Sequence, residues 1–360
     1  MFFERQRALT WTATLFAVSA ALSLPSHAAE SLSQAYERAL DYDATLAAAR
    51  YQRDAASYAA PIARSALLPQ LNASGAYSYS DSETTLAGQP PQSRAGTNES
   101  YGLTLSQALF DWQAFRSLDQ ARQQVALADT QLALAEQDLI LRVATAYFDV
   151  LAAQDTLRFA RAENEALERQ LEQAKERFEV GLAAITDVQE AQARYDLTVA
   201  NIIDAERERR RTELVLAEIA GSDVAPRKLQ ERIPLPPPNP EDPNLWSAQA
   251  QHNNLGVLSA RHAVLAADYG VKVNEGARLP TVGARADYSD GRSETGTFPA
   301  ESEATSIGVQ VNIPLFSGLA LSSRVDQARR VLDQRDAELT RTLQLQFENR
   351  AVEPSADTNR

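Results

Sequence analysis

From Arg116 to Val180 the chain contains neither proline nor glycine. An unbroken helix over that stretch, at ~1.5 Å per residue, would be roughly 100 Å long, a rod that no compact domain of this size needs. Its seam positions recur at three- and four-residue spacing, as Leu118, Ala121, Val125, Ala128, Leu132, Ala135 and Leu139, then Leu157, Ala160, Asn164, Leu167, Leu171, Ala174 and Phe178, all apolar but Asn164. This is coiled-coil periodicity, with small Ala alternating with larger residues so that helices can approach closely. The seam is narrow, so helical partners on both sides are expected instead of one broad core.

The rod ends within RFEVGLAAITDVQEAQARYDL, residues 177–197. Gly181 can take the left-handed conformation that closes a helix, and Thr186-Asp187-Val188-Gln189 reads as a capping box that opens the next one. Val188, Ala191, Tyr195, Thr198, Ile202 and Ala205 then carry the same spacing back until Ala220-Gly221. The result is a long antiparallel helical hairpin over about 115–221. Its apolar tip, Val180-Gly181-Leu182, either packs the turn or presents a docking point to a partner.

A shift of 211 positions superposes a second copy of the plan. Ala49-Arg50 recurs as Ala260-Arg261, Tyr58 as Tyr269, Leu68-Pro69 as Leu279-Pro280 and Tyr77-Ser78 as Tyr288-Ser289. Further on, Leu109-Phe110 recurs as Leu315-Phe316 and the DQAR of 119–122 as that of 326–329. A duplication is the simplest account. The first copy occupies 29–221, a Pro-rich linker 222–241 and the second copy 242–350, with a polar tail at 351–360.

Each copy runs helix, strand, strand, helix. The opening helical segment, Ser31 to Leu67, has a weak break near Asp41-Tyr42-Asp43 and stops before Pro69. Two period-two strands follow at about 69–80 and 99–110. One face of the first carries Leu71, Ala73, Gly75, Tyr77 and Tyr79, and the other Asn72, Ser74, Ala76, Ser78 and Ser80. The second copy alternates likewise through Val282–Ser289 and Ile307–Leu315. At about ten residues each, the strands match the ~9–11 needed to cross a bilayer when tilted. Tyr77, Tyr79, Tyr101, Phe110, Trp112, Tyr288 and Phe316 fall toward strand ends, as interfacial girdles do. Four strands cannot close a lipid-facing barrel, so the barrel must be shared between chains.

Composition narrows the function. Residues 1–28 place Arg5 and Arg7 before an apolar run from Trp11 to Leu24 and end in small residues, the pattern of a cleaved secretory signal. Cysteine is absent and the net charge is −13, which speaks against thiol chemistry, lipid attachment at an N-terminal Cys, and nucleic acid as a partner. His252 and His262 stand too far apart to form a ligand pair. Carboxylates lie along helices with Arg partners three or four residues away, as in Glu165 with Arg169, the look of solvated faces. No catalytic site, cofactor or metal is expected.

The duplicated plan, the LPxL strand starts at 68–71 and 279–282, the QALFD and IPLFSG strand ends, and FEVGLAAITDVQEAQARYDLTVAN at 178–201 resemble the TolC family of outer-membrane efflux and type I secretion channels. The resemblance implies a mainly α fold with β: long antiparallel coiled-coil helices, plus four transmembrane strands per chain given to a homotrimer with one 12-stranded barrel. It further implies a non-catalytic exit duct that spans outer-membrane lipid, its helices in the periplasm. The implied partners are a periplasmic adaptor (membrane fusion protein) and an inner-membrane transporter. By the same resemblance Val180, Gly181 and Leu182 match the tip that meets the adaptor, and Thr186 and Asp187 match positions that hold the periplasmic entrance closed. The second copy departs from the family. It ends in a polar tail without the counterpart of roughly 145–221, so a truncated and impaired form of the channel is expected. The alternative reading is a periplasmic coiled-coil adaptor or scaffold without membrane insertion.

Overall fold

The computed structural model describes residues 30–348, apart from 86, 89, 222–223, 229–236, 238, 240–241, 243–244, 246–248, 250–251 and 295–298. The signal segment 1–28, most of the linker and the tail 351–360 lie outside the described residues. Two compact units divide the chain. One holds the described parts of Met1–Ala35, Tyr147–Ala217 and Ser222–Leu229, and the other those of Tyr36–Ala146, Glu218–Gly221 and Gln230–Arg360.

The larger unit is built on a four-stranded antiparallel sheet of order β1-β2-β3-β4, formed by β1 (Gln70–Thr84), β2 (Gln92–Phe110), β3 (Thr281–Ser293) and β4 (Ala300–Asn312). The two copies therefore meet edge to edge, β2 of the first against β3 of the second. The strands outrun the sequence expectation. Polar residues continue β1 to Thr84 and β2 back to Gln92, because each backbone group still finds its partner across the ladder. β4 stops earlier, at Asn312. Ile313 and Leu315, read as strand residues, fall outside it because Pro314 has no N–H for a ladder.

Among the described residues three helices come first, α1 (Leu32–Tyr42), α2 (Ala44–Ser57) and α3 (Ala59–Ser65). The break at Asp43 is a true boundary. Its carboxylate caps α2 by accepting the Leu46 N–H at 2.6 Å. A second boundary at Tyr58 was not expected; Pro61 cannot donate to the preceding turn and is tolerated only in the first turn of a new helix. α4 (Trp112–Glu179) is one helix of 68 residues and belongs to both units, its residues 112–146 to the larger. α6 (Leu255–Gly276) and α7 (Ala320–Glu348) complete the larger unit. There the Asp43 carboxylate, 5% exposed, also takes a two-armed hydrogen bond from Arg142 of α4, at 2.8 and 2.9 Å. α6 lies along the start of α4, where Gln123 meets His262 at 3.2 Å and Gln120 donates to the Ala266 carbonyl.

The smaller unit is the helical hairpin of α4 from Tyr147 onward and α5 (Ile185–Ala220) up to Ala217. Val150, Ala153, Leu157 and Leu171 of α4 are buried, as are Thr198, Ala205, Thr212 and Leu216 of α5. The start of the expected linker is not free-running. Val224 is buried, Glu30 N–H donates to the Ala225 carbonyl at 2.8 Å, and Arg227 N–H donates to the Glu30 carbonyl at 2.9 Å. The Tyr147 hydroxyl joins them, donating to the Glu30 carbonyl at 2.9 Å while accepting Arg227 N–H at 3.0 Å.

Candidate functional site: a two-faced sheet and a helical tip

Strand register decides which side chains share a face. Leu71, Leu105, Ala286 and Ile307 form one row across all four strands, and Ala73, Leu103, Tyr288 and Thr305 the next. Toward β2's C-terminal end the same face continues through Gln107, Ala284 and Val309 and, past a register shift between Ala108 and Phe110, to Phe110, Val282 and Val311. Toward the hairpin loops, Tyr101 shares the next row with Asp290 and Glu303, and Tyr77 the one after with Glu99, Arg292 and Glu301. Phe110 and Tyr101 bracket the apolar rows. The nine steps between them, at ~3.3 Å each, span roughly 30 Å along the strand, or about 23 Å at a tilt of ~40°, close to the ~25 Å apolar band of an outer-membrane barrel.

The opposite face is small and polar. Its rows run Asn72, Thr104, Asp287, Ser306 and then Ser74, Gly102, Ser289, Ala304. A Cβ on Gly102 would sit 3.0 Å from the Ser74 hydroxyl, so a side chain at 102 would press that hydroxyl aside. Thr104 Oγ1 donates to Asp287 at 2.8 Å, and Arg285 Nε to both oxygens of the same carboxylate at 2.9 and 2.8 Å. Sequence reading placed Arg285 and Asp287 on the polar side but missed the Thr104 hydrogen bond to Asp287, which depends on β2 lying against β3.

The aromatic residues separate by position. Tyr77, Tyr79, Tyr101 and Tyr288 lie on the apolar face, toward the loops that join the strands in pairs. Phe110 ends β2, Trp112 opens α4 with the Arg116 guanidinium 4.1 Å from its ring centre, and Phe316 lies beyond β4. Trp112 and Phe316 are thus not strand residues.

At the tip, α4 closes through paired reverse hydrogen bonds. Leu182 N–H donates to the Arg177 carbonyl at 2.8 Å and Gly181 N–H to the Phe178 carbonyl at 3.0 Å, the Schellman pattern that satisfies terminal carbonyls. It requires φ of 75° at Gly181. Val180 is 69% and Leu182 71% exposed, so neither packs the turn within this chain.

The expected capping box is displaced by two residues. α5 starts at Ile185, so Thr186 lies inside its first turn and does not cap it. Asp187 instead reaches back to accept the Ala184 N–H at 3.2 Å, its charge favoured at a helix N-terminus. A polar groove beside the tip is lined by Gln170, Gln173 and Arg177 of α4 and Asp187, Glu190 and Arg194 of α5. Thr186 is not among its lining residues.

Among the described residues no helix is long and apolar enough to cross a membrane, and no group of His, Cys, Asp and Glu is arranged to hold a metal.

Comparison with known proteins agrees with this geometry. The chain is 38% identical to outer membrane protein TolC of Vibrio cholerae serotype O1 over 86% of its own length and 71% of that protein. It is 32% identical to the alkaline protease secretion protein AprF of Pseudomonas aeruginosa over 87% of its length and 66% of AprF. It thus spans about two thirds of the relatives it matches. The fold is that of the Campylobacter jejuni outer membrane channel CmeC, with a TM-score of 0.73 at 16% identity, covering 88% of this chain and 68% of that one. The profile of the family described as "Outer membrane efflux protein" matches residues 35–222 and 246–353, so the chain belongs to the outer membrane efflux protein family.

Proposed function

We propose that the chain is one protomer of an outer-membrane exit duct, in which three copies join their sheets into a closed 12-stranded barrel. One observation carries the reading: a sheet with one apolar face bracketed by aromatics, one small polar face, and two long open edges, β1 and β4. Unpaired edges are unstable in lipid. Because the strands alternate in direction, β4 of one copy can pair antiparallel with β1 of the next, and the chain of contacts closes on itself. The apolar face then meets lipid and the polar face lines a water-filled passage.

The tip supplies the second half of the reading. Val180 and Leu182 stand exposed on a hydrogen-bonded turn, and the groove beside them offers both signs of charge. Such a surface suits the helical-hairpin end of a periplasmic adaptor, which would connect the duct to an inner-membrane transporter. Asp187 fixes the start of α5, and in this reading it takes part with Thr186 in closing the entrance. Cargo passes without chemical change. The relatives' names include an alkaline protease secretion protein, so polypeptide cargo of type I secretion stands beside small-molecule efflux. A soluble adaptor or scaffold has no use for a sheet of this kind and is not favoured.

The test is the native mass of the chain extracted by mild detergent from purified outer membranes. Three chains per particle are expected. A monomer recovered from the soluble periplasmic fraction would sink the proposal.

A further inference from the structure

On the polar face, the described strand residues are short or neutral apart from Arg94, Arg285 and Asp287. Arg285 stands between Ser106 of β2 and Gly308 of β4, and a Cβ on Gly308 would meet nothing within 4 Å. Its cross-strand neighbours are thus short, and the space over Gly308 is open. Asp287 holds Arg285 through Nε alone, while Thr104 secures the carboxylate from the adjoining strand. The terminal guanidinium nitrogens bond none of the described residues. Arg285's side chain is 58% exposed against 31% for Asp287, so the pair turns its positive end outward and keeps its negative end against the sheet.

We propose that Arg285 is a selectivity residue of the duct, and that its guanidinium makes the wall at this height attract the carboxylate, phosphate or sulfate groups of passing solutes. Asp287 acts as a positioning residue. The inference rests on the reading of the polar face as the lumen. It runs against the chain's overall charge of −13, which by itself would favour cations. Arg needs no environmental help to stay charged, and its planar end matches oxyanions two atoms at a time. In a trimer three such groups would form a ring.

The absence of cysteine allows a direct test. Ser106→Cys places a single thiol beside Arg285, and Leu105→Cys places one on the opposite face. In purified outer membranes, modification rates are measured with an anionic (sulfonatoethyl) and a cationic (trimethylammonioethyl) methanethiosulfonate. S106C should react and L105C should not. Adding R285Q should lower the anion-to-cation rate ratio at S106C about five-fold, the effect of one unit charge at ~5 Å in partly screened water. R285K should keep the ratio within about two-fold of the parent, and D287N should raise it. Independently of any change at 285, the S106C ratio should exceed that of a cysteine peptide at low salt and converge on it near 1 M, where the Debye length is ~3 Å.

An unchanged ratio in R285Q, or a low-salt ratio no higher than the peptide's, would overturn the role of Arg285 while leaving the duct intact. A reactive L105C with a protected S106C would overturn the duct's face assignment, and this inference with it.

Discussion

Asp43 carries two tasks, and substitutions can separate them. Its carboxylate caps α2 and accepts both arms of Arg142. D43N keeps a capping side chain and loses the charge; D43A loses both. We expect D43A to cost about 2–4 kcal/mol, from a cap of ~1 and an ion pair whose Arg stays partly solvated, with D43N in between by thermal unfolding. The Arg142 hydrogen bonds hold the Asp43 pKa below its ordinary value, ahead of the opposing effect of burial. A depressed carboxylate stabilises above its unfolded pKa of ~3.9 and loses that contribution as pH falls through the folded value. The advantage of wild type over D43N should therefore be constant near neutrality and shrink below about pH 4. The sequence showed the break at 41–43 because turn-forming Asp interrupts the Ala-rich pattern. It could not show Arg142, 99 residues away and one of many arginines along α4. Gly181 was legible for a different reason: a positive φ leaves a composition mark. A Cβ there would meet nothing, so G181A should cost only the left-handed backbone, about 1–2 kcal/mol, read as faster amide exchange at residues 181–184.

At the scale of elements, periodicity located the helices and strands, and local chemistry misplaced some ends. α5 begins at Ile185, two residues before the first helical position that a Thr186 cap implies, because Asp187, at the third helical position, can satisfy the Ala184 N–H without any capping hydroxyl. β4 ends at Pro314's approach, while β1 and β2 continue beyond the apolar rows since their pairing does not depend on what the side chains face. The hairpin seam contains one polar contact that the pattern marked only as an irregularity. Asn164 of α4 donates to Thr198 Oγ1 of α5 at 2.9 Å, and that hydroxyl donates to the Tyr195 carbonyl at 2.7 Å. Thr198 is 3% exposed, so removing Asn164 leaves a buried acceptor short of a partner. N164L should destabilise the hairpin by about 1 kcal/mol, and N164L/T198V should recover that loss, because replacing both partners by apolar groups of like shape is nearly neutral. A double-mutant cycle by chemical denaturation reads the coupling. If N164L and T198V simply add, the pair does not pin the register of the two helices.

For the whole molecule, the decisive feature is a surface that a water-soluble protein would hide. Ile307 is 86% and Val309 67% exposed in the single chain, on an edge strand whose backbone also lacks a partner on one side. Hydrophobic side chains and ladder groups thus call for cover at the same place, lipid for the first and another strand for the second. A single sequence shows both needs through period-two strands but cannot count the copies that meet them, since closure depends on tilt and stagger between chains. Which face meets lipid can be tested without that count. Ile307 shares the central apolar row with Leu71, Leu105 and Ala286, and its neighbour Ser306 lies on the polar face beside Asp287. Arginine on the lipid face near the bilayer middle costs ~2–4 kcal/mol per strand, repeated in each copy, whereas a lumen position carries little such penalty. I307R should therefore fall to near absence in the outer-membrane fraction, while S306R and the control I307L stay near the parental level, measured by quantitative immunoblot of sucrose-gradient fractions. Equal assembly of I307R and S306R would mean that the apolar face is covered by protein, and the sheet would then be the interior of a soluble assembly and no membrane wall.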